Sequence, residues 1–80
     1  MNIKLGEIIA RVIGIEKDGI TEASSPETIG QWTSLKQLTL ISTVESVFKV
    51  KFTLGEMRQL RNAGAFLEIL KKKGEHDVQL

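Results

Sequence analysis

Few side chains in this sequence could carry out chemistry unaided. There is no cysteine and a single histidine, His76. That excludes a thiol nucleophile, a disulfide framework and cysteine-ligated zinc or iron–sulfur sites, and it leaves little for metal binding. No Ser–His–Asp set and no paired carboxylates occur, and Gly6, Gly14, Gly19 and Gly30 match no phosphate-cradling motif. His76 lies in a polar tail and reads as a solvated side chain; Lys71, Lys72 and Lys73 read as a solvated helix end. The remaining candidates are hydroxyls and amides at helix starts. Thr33 or Ser34 can cap the helix that follows, Thr53-Leu54-Gly55-Glu56 matches a capping box, and Asn62 can cap a last helix. Arg58, Gln59, Arg61 and Asn62 could serve a helix-turn-helix DNA binder, but their helix is brief and the net charge is only +1.

Helices must position these groups. Leu5, Ile8, Ile9, Val12 and Ile13 recur at helical spacing, so a first helix runs from Leu5 to about Ile15. Asp18-Gly19, Ser24-Ser25-Pro26 and Gly30 then make residues 17–32 a long loop. Ser25 with Pro26 can open a single helical turn, and Ile20, Ile29 and Trp32 can pin the loop to the core. From Thr33 to about Phe48, Leu35, Leu38, Ile41, Val44, Glu45 and Phe48 share one stripe, widened by Leu40 and Val47. Lys49-Val50-Lys51-Phe52 alternates and reads as an extended connection. The capping box opens a short helix to about Leu60; a last helix turns Ala63, Phe66, Leu67 and Leu70 inward, and Gly74 stops it. The expected fold is all-α, a small four-helix bundle of three longer helices and one short helix, with the long loop between the first and second. Residues 1–74 form the helical domain and 75–80 a flexible tail.

Composition agrees with one small domain. Of 80 residues, 41% are hydrophobic and 26% charged, too apolar for a disordered chain. No apolar run approaches the roughly 18 residues of a membrane span, and no signal peptide is evident. A domain this small cannot also hollow out a large enzyme pocket, so binding or carrying is expected rather than catalysis. Charge is unevenly placed. Residues 33–62 hold Lys36, Lys49, Lys51, Arg58 and Arg61 against Glu45 and Glu56, a local balance of +3.

The stretch Gly30-Gln31-Trp32-Thr33-Ser34-Leu35-Lys36-Gln37-Leu38, continuing to Val44-Glu45-Ser46-Val47-Phe48-Lys49-Val50-Lys51-Phe52, resembles the acyl carrier protein family. With the helix order, the resemblance spans roughly residues 3 to 72. It implies that Ser34 is esterified with 4′-phosphopantetheine, whose terminal thiol carries acyl or aminoacyl groups as thioesters in fatty acid, polyketide or related biosynthesis. The implied partners are a phosphopantetheinyl transferase, an acyl-loading ligase or acyltransferase, and condensing or modifying synthase enzymes. Neither nucleic acid nor membrane is among them, and a cytoplasmic monomer is expected. A phosphodiester at Ser34 would meet the free amides and positive dipole end of a helix, which favours an anion by about 0.3–1 kcal/mol.

Three residues depart from the family pattern. Thr33 stands where the family usually has aspartate, and Lys36 and Thr39 stand where acids are common, leaving only Glu45 in that segment. Partners that dock through a basic patch would gain little steering here. The expectation is a dedicated partner set of more apolar character, contacting Thr33, Leu35, Lys36, Gln37, Leu40, Thr43 and Val47, with a core position as the other reading of Leu40 and Val47. Trp32 either packs the loop onto the bundle or touches the prosthetic arm. The alternative function, favoured by Thr33, is a cofactor-free helical interaction module that kept the carrier fold.

Overall fold

The computed structural model describes residues 3–75 and 77–80; His76, read above as a solvated tail residue, lies outside them. Four α-helices form the bundle: α1 (Leu5–Ile13), α2 (Ser34–Phe48), α3 (Leu54–Gln59) and α4 (Ala63–Lys72). Two-residue strands β1 (Ile3–Lys4) and β2 (Val78–Gln79) pair in parallel, Ile3 opposite Val78 and Lys4 opposite Gln79. The pairing corrects the expectation of a flexible tail over residues 75–80. Val78 has an apolar side chain to bury and does so in the core, and Leu80 packs against it from the rim.

Helix α1 buries Leu5, Ile9 and Ile13, three positions four apart. It ends two residues sooner than the apolar pattern suggests. Gly14 takes a left-handed conformation (φ 85°) that an L side chain resists, and its N–H donates to the Ala10 carbonyl. The Ile13 carbonyl is reached from another helix: Lys36 Nζ donates to it at 2.8 Å.

The long loop is ordered by its own hydroxyls and by α4. Glu27 N–H donates to Ser25 Oγ at 3.2 Å while Ser25 N–H donates to Thr28 Oγ1 at 3.0 Å, closing the single turn expected at Ser25-Pro26. Buried Ser24 accepts from Thr21 N–H at 2.8 Å. Two loop carbonyls take up amides that α4 cannot satisfy itself: Ala63 N–H donates to Ser24 O at 2.9 Å and Gly64 N–H to Glu22 O at 2.8 Å. The approach is close: a Cβ on Gly64 would lie 3.0 Å from the Glu22 oxygen, so a larger residue would need the loop to give by a few tenths of an ångström.

Helix α2 carries apolar residues on nearly every side, and packing selects among them. Leu40, Ile41, Val44 and Phe48 enter the core, whereas Leu35 and Leu38, placed by spacing on the same stripe, are 73% and 64% exposed. Helix α3 begins with the capping box read from sequence: Glu56 N–H donates to Thr53 Oγ1 and Thr53 N–H to Glu56 Oε1. Glu56 also meets Lys73 Nζ at 2.8 Å, tying α3 to the end of α4. Beneath that pair Phe52 stands edge-on to Phe66 at 6.3 Å, with Lys73 Nζ 5.8 Å from its ring centroid. Among the described residues no helix is long and apolar enough to cross a membrane.

Candidate functional site

The start of α2 separates two jobs that adjacent hydroxyls could share. Thr33 is the N-cap: it is extended (φ −85°, ψ 169°) and its Oγ1 accepts from Lys36 N–H at 3.2 Å. Ser34 is the first helical residue, exposed, and its hydroxyl has no partner among the described residues. The helix does not need that oxygen. The amides of Ser34 and Leu35 precede the first possible intrahelical bond, so the hydroxyl sits beside unspent donors at the positive end of a helix of 15 residues.

A latch beneath Ser34 holds this geometry. Trp32 is 2% exposed, and its indole N–H donates to Gln37 Oε1 at 2.7 Å. The other half of the same amide, Gln37 Nε2, donates to the Leu60 carbonyl at 2.8 Å. One glutamine thereby joins the loop, the first turn of α2 and the end of α3. Trp32 packs into the bundle with this bond, and its indole also contributes one wall of an open recess of about 530 Å³ beside Ser34, otherwise lined by Pro26, Thr33, Gln37 and Leu38.

The candidate docking residues separate into two groups. Leu35 is exposed beside Ser34, and Val47 is 44% exposed further along α2. Leu40 is fully buried and belongs to the core, which removes it from any docking surface. Lys36 and Gln37 are half-buried, and their polar ends are spent on the Ile13 and Leu60 carbonyls and the Trp32 indole. Thr43 is half-buried, its hydroxyl donating to the Thr39 carbonyl at 2.8 Å. Asn62, weighed as a base-reading residue, caps α4 by accepting from Ala65 N–H. Sequence reasoning left out Leu38 and Pro26 as neighbours of Ser34. Leu38 was hidden by a spacing that fits the core equally well.

Ser34 is a lone, accessible nucleophilic hydroxyl, and among the described residues no group of histidine and carboxylate side chains could hold a metal ion. Such a residue is suited to being modified by another protein.

No protein-family model matches the sequence, and no curated protein matches it. Among solved structures, the chain is similar to the solution NMR structure of a holo acyl carrier protein from Geobacter metallireducens. The two are 33% identical with a TM-score of 0.75, over 90% of this chain and 87% of that one.

Proposed function

The chain belongs to the acyl carrier protein family, and from that premise we propose that it holds acyl or aminoacyl intermediates as thioesters on a 4′-phosphopantetheine arm attached to Ser34 and delivers them to biosynthetic enzymes. The observation that carries the reading is the free Ser34 hydroxyl on the first turn of α2, with Thr33 doing the capping in its place. The related structure is of a holo form, which supports assigning a prosthetic group to this chain.

The residues present fit such a group. Ser34 Oγ is the attachment atom, exposed where a transferase can reach it. The amides of Ser34 and Leu35 and the α2 dipole favour a phosphodiester's negative charge. Trp32 and Gln37 fix the first turn so that Ser34 projects from a rigid edge. When bound, the arm supplies the terminal thiol that this cysteine-free chain lacks. The partners proposed are a phosphopantetheinyl transferase, a loading ligase or acyltransferase, and synthase enzymes, in the cytoplasm.

A second reading is a helical interaction module that kept the fold without the cofactor. Thr33 favours it, because a neutral hydroxyl already occupied by Lys36 N–H replaces the usual carboxylate beside the serine. Intact mass after co-expression with a broad-specificity phosphopantetheinyl transferase separates the two. The carrier reading expects one phosphopantetheine increment, absent in Ser34→Ala. No increment with several transferases would leave the second reading standing.

A further inference from the structure

Four cations lie on α3 and the segments flanking it: Lys49, Lys51, Arg58 and Arg61, all exposed. None of their side chains has an ion-pair or hydrogen-bond partner among the described residues. The two acids of the same stretch are both engaged. Glu45 Oε2 accepts from Phe52 N–H at 2.9 Å, and Glu56 is shared between Lys73 and Thr53. Among the described residues, no carboxylate is paired with any of these four cations.

Helices α2 and α3 expose leucines. Leu35 and Leu38 lie on α2 near Ser34, and Leu54, 65% exposed, shares a stripe of α3 with Arg58 four residues on. The bond from Gln37 to the Leu60 carbonyl sets the end of α3, and Arg61 after it, alongside the first turn of α2. Apolar contacts rimmed by charge are the anatomy of a protein interface. A nucleic-acid groove calls for stacking platforms, yet Trp32, Phe48 and Phe52 are buried. A membrane-binding helix needs a broad apolar face, whereas the outer side of α2 continues as Thr39, Ser42 and Ser46.

Lys49 closes α2 as its C-cap, its N–H donating to the Glu45 carbonyl. Its backbone is left-handed (φ 56°), a conformation that favours glycine, and it is the one non-glycine with positive φ among the described residues.

We propose that the α2–α3 face receives a partner protein whose docking surface presents carboxylates around an apolar contact, the leucines seating at the centre and the lysines and arginines pairing at the rim. The proposal rests on the carrier reading for its purpose and names the chemistry of the partner that reading requires.

The test uses the full unloaded chain and two synthetic amphipathic peptides of about 15 residues, one of Glu and Leu, the other of Lys and Leu at the same positions. Chemical shifts of the ¹⁵N-labelled protein should move at Leu35, Leu38, Leu54 and Arg58 with the acidic peptide and not with the basic one. Affinity should fall about tenfold between about 50 and about 300 mM sodium chloride. Arg58→Glu with Arg61→Glu should reverse the preference, and Lys49→Glu with Lys51→Glu, in the segment before α3, should do so independently. Equal binding of both peptides, no binding of either, or stronger binding to about 20 base pairs of duplex DNA or to vesicles of about 30% phosphatidylglycerol would overturn the proposal. Loading of Ser34 is read separately by mass. Peptide preference without loading removes the carrier reading alone, and loading without preference removes this proposal alone.

Discussion

The two ends of α3 show opposite uses of polar side chains. At its start, Thr53, Glu56 and Lys73 consume one another's hydrogen-bonding capacity above the Phe52–Phe66 pair. The Thr53 hydroxyl and the Glu56 carboxylate there are committed to the fold. At its end, Gln37 takes the Leu60 carbonyl and the Trp32 indole, Thr33 takes the cap, and Ser34 beside them is left unspent. A functional hydroxyl on so small a scaffold is recognised by what its neighbours do on its behalf.

The largest break in this contrast should come from Gln37→Ala. It strands the Leu60 carbonyl and the Trp32 N–H, and unpartnered polar groups cost about 1–3 kcal/mol in urea-induced unfolding. Ser34→Ala, three residues away, should stay within about 0.5 kcal/mol of the parent by the same measurement, because its hydroxyl holds nothing.

The other end is tested by acid. The Glu56 carboxylate is held below its usual range, first by the hydrogen bond from Lys73 and then by the Thr53 amide. The unfolded chain therefore binds that proton at higher pH than the folded one. The resulting stability is present above the ordinary carboxylate range and is lost as pH falls through the folded value. Melting temperatures followed from about pH 7 to about pH 3 should fall less steeply in Glu56→Gln, which keeps the capping-box geometry without the titration. A change of opposite sign is expected at Lys49→Gly. Relief of the left-handed backbone should raise stability by about 0.5–1 kcal/mol in chemical denaturation, less whatever the lysine contributes to the α2 dipole.

Local signals in the chain were legible. Thr53 and Glu56 carry a capping box within four residues, Asn62 and Gly74 punctuate α4 as their chemistry requires, and Ser25-Pro26 closes its turn. The helix order followed from the same local rules, whereas Ser34 was singled out by the family resemblance, the local pattern leaving Thr33 and Ser34 both open as the cap. Long-range choices were not legible. The bonds of Lys36 to Ile13 and Gln37 to Leu60 each span 23 residues, and the strand pairing of Ile3 with Val78 spans nearly the whole chain. Both side chains looked like exposed candidates because no local pattern marks a distant carbonyl. On α2, Leu35 and Leu38 satisfy the helical period as well as Leu40 and Val44 do, and only the neighbouring helices decide which set is covered.

The seam between the loop and α4 ties their motions together. Ser24 and Glu22 supply the carbonyls for the Ala63 and Gly64 amides, with Gly64 in close approach to the loop backbone. Lifting residues 22–24 strands the Ala63 and Gly64 amides, which couples opening of that part of the loop to the first turn of α4 as one unit. Ser34 is presented at the edge of that unit on a support whose breathing is set by helix stability, and large excursions of the loop are rare events on the timescale of local unfolding.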